Sequence, residues 1–410
     1  MARSQNQILT EYLPSGLPVA YRWVPGSVEC CGVAIMAGSR DESSDEWGLA
    51  HFVEHTIFKG TRRRRSYHVI NRMETVGGEL NAYTTKEETF VYSTAPAGNT
   101  ARAVELIADL VVNSTFPASE LDKEREVVAD EINSYLDAPD AAVYDDYEDL
   151  IFKNSQLGHN ILGTRKSVAA LTGDDCRRWV SRNYNAGRMA FFYTGPAPFS
   201  RVMSLAGRYM NAIPAGDCSM GRVVPPPVEP FDISRSIRAH QAHTVVGNRL
   251  DGIIHEDYDP LGLMNNILGG PGMNSRLNVS LRERRGLVYT VDSSISRYSD
   301  CALWSVYFGC DDEHTEVCRR LVGEAVEQMA TVPLGGRALA MAKRQFIGQL
   351  TLSRAGVENS ALALGRCVLR GETFRPLDVL AADISAVSAS DLTRMASRLI
   401  ETPLSSLTLH

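Results

Sequence analysis

Five residues of this chain have the types and spacing for hydrolytic chemistry: His51-Phe-Val-Glu-His55. They sit in Gly48-Leu-Ala-His-Phe-Val-Glu-His-Thr-Ile-Phe58, where apolar residues recur at helical spacing and nothing breaks the run after Gly48. On a helix, His51 and His55 lie one turn apart, so both imidazoles project from one face and can grip one ion. Glu54 stands beside them, close enough to reach a water on that ion without being a ligand. Two neutral imidazoles, an open coordination position and a neighbouring carboxylate are the parts of a zinc hydrolase. Their order is inverted relative to His-Glu-x-x-His. The chain has nine His, and the competing explanation is a chance pair of satisfied polar side chains. A third ligand decides between the two.

Lys123-Glu-Arg-Glu-Val-Val-Ala-Asp-Glu-Ile-Asn-Ser-Tyr-Leu136 predicts a helix, with good formers, no breaker and Pro117 upstream. Glu120, Glu124, Val127 or Val128, Glu131 and Tyr135 share one stripe of it. Carboxylates on a stripe that also carries Val are odd for a solvated face, although Lys123 and Arg125 would serve as surface partners. Glu124 and Glu131 are two turns apart, about 10 Å along the axis, so both cannot ligate one ion. One should ligate; the other should orient the water or a ligating His.

His51-Phe-Val-Glu-His-Thr-Ile-Phe-Lys-Gly-Thr61, with Glu131 seventy-six positions after His55, resembles the pitrilysin-type (inverzincin) zinc peptidases, including the mitochondrial processing peptidase β subunit and short bacterial relatives. The likeness extends to Ala37-Gly-Ser-Arg-Asp-Glu42, Gly77-Gly-Glu-Leu-Asn-Ala-Tyr-Thr84, Leu157-Gly-His-Asn-Ile-Leu-Gly-Thr164, Asn274-Ser-Arg-Leu277 and Arg282-Glu-Arg-Arg-Gly-Leu-Val-Tyr289, and so covers nearly the whole chain. It implies Glu131 as third ligand to one Zn2+ per chain, Glu54 as general base and Glu124 as supporting carboxylate. It also implies two homologous halves facing each other around a closed chamber.

Composition fits this reading. At 410 residues the chain is too long for one ordinary core and predicts two domains. A formal charge of −7 argues against a nucleic-acid surface, and Arg62-Arg-Arg-Arg65 reads as a solvated turn between two helices. No run of apolar residues is long enough to insert in a membrane. The N-terminal Met-Ala-Arg-Ser-Gln-Asn-Gln-Ile shows no export signal, and eight Cys without Cys-x-x-Cys spacing read as small buried side chains in a reducing compartment. The cytoplasm is the expected location.

Ile213 to Pro230 holds five prolines and two glycines and predicts an extended connector. The expected division is therefore 1–213, a zinc-binding peptidase domain; 214–230, a Pro-rich linker; and 231–410, a degenerate repeat. The first half predicts strands at Val19–Trp23, Val33–Met36, 80–84 and 89–95, with helices at the metal motif, near Val69, and over 100–114 and 118–137. The second predicts strands from Ser236 to Val246, 287–296 and 302–309, with helices at 260–268, 313–330 and 336–353. Laying 260–268 over the metal helix puts Leu-Met-Asn-Asn-Ile where the histidines would be, so the repeat has no metal site. Strands followed by runs of helices give an α+β class: two mixed or antiparallel sheets, each with helices on one face.

Gly77 to Thr85 reads on its own as a strand entered through a glycine turn. The resemblance makes it the edge to which an extended peptide adds, with Asn81 and Ala82 in backbone contacts and Tyr83 and Thr84 on the same ledge. Arg282 and Tyr289, ordinary by themselves, match the family's Arg–Tyr pair that supplies donors near the scissile carbonyl. The reading is a zinc-dependent endopeptidase of peptides or leader segments, paired as a homodimer or with a related chain. The alternative is a catalytically idle scaffold or regulatory subunit.

Overall fold

The computed structural model describes residues 8–237 and 240–410. The residues read for an export signal (1–7), and Arg238 and Ala239 of the strand expected from Ser236, lie outside them. The first half of the chain lays down β1 (Ile8–Tyr12), β2 (Pro18–Trp23), β3 (Val28–Ile35), β4 (Glu79–Thr84), β5 (Thr89–Pro96) and β6 (Met189–Gly195). Its helices are α1 (Leu49–Thr56), α2 (Ser66–Glu74), α3 (Thr100–Asn113), α4 (Ala118–Leu136), α5 (Pro139–Ile151), α6 (Arg165–Ala170), α7 (Gly173–Asn183) and α8 (Phe199–Tyr209). The second half contributes β7 (Asp232–Arg235), β8 (Ala242–Asp251), β9 (Val288–Arg297), β10 (Cys301–Cys310) and β11 (Ser405–Leu409). With them come α9 (Tyr258–Gly269), α10 (Thr315–Thr331), α11 (Gly336–Ser353), α12 (Val357–Leu369), α13 (Leu377–Ala386) and α14 (Ala389–Leu399).

One sheet runs β1-β2-β6-β3-β5-β4 and the other β7-β11-β8-β10-β9. Without β1 the two orders are the same. Each contains one parallel pair, β2 with β6 and β7 with β11, among antiparallel neighbours. The molecule is thus two homologous α+β domains, each a mixed sheet with most of its helices packed on one face. β3 shows why. Its Cys31, Val33 and Ile35 point into the core that holds α1 and α3, while Cys30 and Ala34 point the other way.

That opposite face receives a single further helix in each sheet. In the first, Ala361 and Leu364 of α12 lie with Ala20, Cys30, Phe90 and Phe192. A Cβ on Gly365 would sit 2.5 Å from the Phe192 ring, so the helix can press this close only because that position has no side chain. In the second, Val143, Tyr147 and Ile151 of α5 lie with Val245, Leu303 and Leu407. The compact units are accordingly discontinuous: the chain up to Asn133 with His159–Val223 and Leu352–Pro376, and Ser134–Gly158 with Val224–Thr351 and Leu377–His410.

The strand expected from Ser236 begins at Ala242. Residues 214–231 hold no helix or strand, yet they are pinned: Arg222 pairs with Asp41 at 2.8 Å in the first unit, and Arg249 donates to the Pro226 carbonyl at 2.7 Å in the second. The arginine run is not simply a solvated turn. Arg62 and Arg63 are exposed, but Arg64 reaches α3 and pairs with Glu105 at 2.5 Å and with the buried Asp109 at 2.6 Å. The eight cysteines are free and six are buried, whereas Cys218 is exposed. Among the described residues, no helix is long and apolar enough to cross a membrane.

Candidate metal centre

Helix α1 opens at Gly48, whose φ of 91° is left-handed and whose absent Cβ would fall 2.7 Å from the Leu162 carbonyl. No side chain of its own caps it. Glu42 does so instead, accepting from the Gly48 N–H at 2.9 Å and the Ala50 N–H at 2.7 Å. Burial pushes the Glu42 carboxyl well up from its ordinary range, against the pull of those two bonds. His159 reaches the same carboxyl at 3.2 Å and stacks on Trp47 at 5.2 Å. The segments around Glu42 and His159, noted in the sequence only as resemblances, are therefore the clamp on the N-terminus of this helix. The only sequence sign of it was an acidic residue shortly before a helix with no capping side chain.

Leu49, Ala50, Phe52, Val53 and Thr56 of α1 are buried. The helix thus presents His51, Glu54 and His55 toward α4. One turn apart, the two rings approach edge to face with centroids 4.5 Å apart. Glu131 Oε2 lies 3.7 Å from His51 Nε2 and 3.4 Å from His55 Nε2, and the three ligand atoms all fall within 4.8 Å of one another. Tetrahedral zinc with bonds of about 2.0–2.1 Å sets its ligands roughly 3.3 Å apart. The donor set fits. Burial, then the neighbouring His55, holds the His51 pKa down at about 3, which keeps that imidazole neutral and free to ligate. Its other nitrogen, Nδ1, is buried without a hydrogen-bond partner. His51, His55 and Glu131 thus form a single zinc-type cluster in the chain, and no second such cluster occurs among the described residues.

Glu124 stands apart from the ligand atoms. Its Oε2 meets His55 Nδ1 at 3.3 Å, and its Oε1 pairs with Lys59 at 2.6 Å. Lys59 was not singled out from the sequence, although it lies in the same motif. On α4 the buried residues are Leu121, Glu124 and Val128, whereas Val127 is exposed, which resolves the stripe. Glu120 is turned to Lys123 at 2.9 Å. Glu54 is partly buried, and burial raises its pKa against hydrogen bonding from Thr84.

Thr84 closes β4, the outermost strand of its sheet, so among the described residues one backbone edge from Glu79 to Thr84 is unpaired by any strand. Asn81, Ala82, Tyr83 and Thr84 are all partly exposed. Alternation divides them: Leu80 and Ala82 pack on the core beneath α1, while Tyr83 stacks on Phe90 at 4.9 Å and accepts from Arg366 at 2.8 Å on the other face. Arg282 and Tyr289 belong to the second unit and are not among the groups the first unit gathers. Both are exposed, and the Tyr289 hydroxyl donates to Asp311 at 3.1 Å.

Comparison with known proteins bears on this arrangement. The profile of the insulinase peptidases, family M16, matches residues 22–165, and that of the M16 inactive domain matches residues 170–346. The uncharacterized zinc protease YmxG of Bacillus subtilis is 30% identical over 368 residues, covering 90% of this chain and 89% of its own length. An uncharacterized zinc protease of Streptomyces coelicolor is 30% identical over 424 residues, covering 97% and 90%. Among solved structures, a peptidase M16 inactive domain from Pseudomonas fluorescens superposes with a TM-score of 0.91 at 17% identity over 98% of this chain and 97% of that one. A protease from Helicobacter pylori gives 0.89 at 18% identity over 99% and 100%. These two likenesses concern the fold.

Proposed function

The chain belongs to the insulinase family of peptidases, M16, and on that premise we propose that it is a zinc-dependent endopeptidase acting on peptides bound in extended form. The observation that carries the reading is the convergence of His51, His55 and Glu131 with Glu54 beside them. The intact triad favours an active enzyme over an idle scaffold. His51, His55 and Glu131 would hold one ion per chain. Zinc bound there supplies Lewis acidity, polarising a carbonyl and lowering the pKa of water toward about 7.

The chain's own groups do the rest. Glu124, braced by Lys59, fixes the ring of His55. Glu54 takes the proton of the attacking water and passes it to the departing amine, a role its upward-shifted pKa suits. The substrate strand adds to the free edge of β4 through the backbone of Asn81 and Ala82, with Tyr83 and Thr84 on the same ledge, which makes binding tolerant of sequence. Arg282 and Tyr289 stabilise the oxyanion from the half without metal.

The likeness to the mitochondrial processing peptidase β subunit and its short bacterial relatives supports leader or presequence segments as substrates. It also supports a homodimer in which each metal-bearing half faces the partner's Arg–Tyr half, with a heterodimer of related chains as the other assembly. Cysteines buried as small apolar side chains support a reducing compartment, the cytoplasm.

The test pairs zinc analysis with cleavage of a quenched peptide library. Glu54→Gln should retain zinc and lose cleavage by about 10²-fold or more. His55→Ala should lose both. A Glu54→Gln protein that cleaves at the unaltered rate refutes the base, and stoichiometric zinc in His55→Ala removes that residue from the site.

A further inference from the structure

The fold repeats, so the metal cleft has a counterpart. α9 follows β8 as α1 follows β3, and α11 comes second after β10 as α4 comes second after β5. Where α1 and α4 gather the triad, α9 and α11 border a cavity of about 520 Å³. Asn266 comes from α9, Met341 and Gln345 from α11, and Asn274, Ser275 and Arg276 from the segment after α9. A second cavity, of about 600 Å³, shares Asn274 and Arg276 as walls.

The polar groups here are unevenly satisfied. Asn274 and Gln345 exchange two hydrogen bonds, at 2.9 and 3.0 Å, and need nothing more. Arg276 differs. Its Nη1 is buried without a hydrogen-bond partner, and it forms no ion pair among the described residues. Beside it Ser275 is 4% exposed, and its hydroxyl also lacks a partner. No carboxylate lines the first cavity, and the only one lining the second, Glu324, is taken by Arg320. Arg276 is half-buried, and the one guanidinium nitrogen withdrawn from water without a partner is costly unless an acceptor, best an anionic one, meets it.

We propose that this cavity is a binding site for a carboxylate carried by a peptide, with Arg276 as its clasp and the Ser275 hydroxyl as a further donor. The planar fork of arginine matches a carboxylate's two oxygens. Arg344 adds a second positive charge to the wall, and Ile267 and Met341 offer apolar surface to the carbon chain that bears the carboxylate. The first unit offers a peptide the charge of an ion; the second offers it the charge of a side chain. That the carboxylate is a peptide's rests on the peptidase reading. That an anion seats on Arg276 does not.

Calorimetric titration of the zinc-loaded full chain tests this with acetyl-Ala-Ala-Leu as free acid, its C-terminal amide, and the amide of acetyl-Ala-Glu-Leu, each checked by mass spectrometry to remain intact. The free acid should bind at least about ten-fold more tightly than its amide. Recovery of that affinity in the Glu-containing amide identifies a side-chain carboxylate as a source; its absence restricts the site to a C-terminus. Arg276→Gln should weaken the acid by about ten-fold or more, with part restored in Arg276→Lys. His55→Ala should leave the affinity unchanged, since the probe does not sit on the metal. Equal binding of acid and amide overturns the proposal, as does full affinity in Arg276→Gln, loss of binding in His55→Ala, or equally tight binding of inorganic phosphate. The acid–amide comparison, made on the unaltered chain and on His55→Ala, decides the matter even if the Arg276 variants fail to fold. Loss of cleavage in Glu54→Gln leaves the titration untouched and keeps the two readings separable.

Discussion

Glu124 touches none of the positions an ion would occupy, yet the site depends on it. It holds His55 through Nδ1, which leaves Nε2 as the ligating nitrogen and fixes the ring plane. Glu124→Ala should therefore weaken zinc by roughly 10–100-fold in competition with a chromophoric chelator, with Glu124→Gln intermediate. Unchanged affinity would assign Glu124 to packing alone. His51 makes a separate, pH-dependent contribution. Burial holds its folded pKa at about 3, against the ordinary imidazole value of about 6.5. Between those values the unfolded chain takes a proton that the folded, metal-free chain refuses, so stability falls as pH drops through the window and the loss is absent above it. The denaturant midpoint of zinc-stripped protein should fall from about pH 7.5 to about pH 5.5, and less steeply in His51→Gln; equal slopes would dismiss His51 as the cause. The two histidines and Glu54 were legible in the sequence because one helical turn fixes their spacing. Glu131 lies seventy-six residues beyond His55, and only the packing of α4 against α1 brings it there.

At the scale of elements, the metal helix is short, eight residues, and enters the core from a glycine with no capping side chain. Its geometry is imposed by Glu42 from outside. Glu42→Ala leaves two first-turn N–H groups buried without an acceptor, at roughly 1–3 kcal/mol each. The melting temperature should drop and zinc affinity with it, whereas Glu42→Gln keeps an acceptor oxygen and should lose less. Normal zinc affinity in Glu42→Ala would mean the helix positions its histidines unaided. Elements with clear periodicity and punctuation, such as α4, α10, α11 and the β4–β5 hairpin, fell where the sequence placed them. β6 did not stand out. Met189-Ala-Phe-Phe-Tyr-Thr-Gly195 is buried throughout and shows no alternation, because it lies between β2 and β3 with helices over both faces. The role of Arg64 was hidden for a related reason. A run of four arginines looks solvated until α3 supplies Asp109.

At the scale of the whole molecule, the proposed homodimer shares its chemistry between chains. Light scattering should give twice the 45.0 kDa of one chain. Glu54→Gln and Arg282→Ala proteins, each inactive alone, should recover about a quarter of the unaltered rate after mixing and subunit exchange, because half the dimers are mixed and each has one complete site. Continued inactivity in a mixture shown to exchange would place each site within a single chain. The repeat was visible in outline, as a similar order of strands and helices and a missing metal motif in the second half. The destinations of α5 and α12 were not. Their apolar faces specify burial without naming the sheet that receives them.

Those two helices give the backbone an interlaced plan. Residues 134–158 belong with the second sheet and 352–376 with the first, so the chain crosses over well before and well after its proline-rich stretch. A protease nicking that stretch would sever one covalent thread and release nothing, since each fragment still carries a piece of its neighbour's lining. Gene truncation there would do worse, leaving a bare apolar underside on either product.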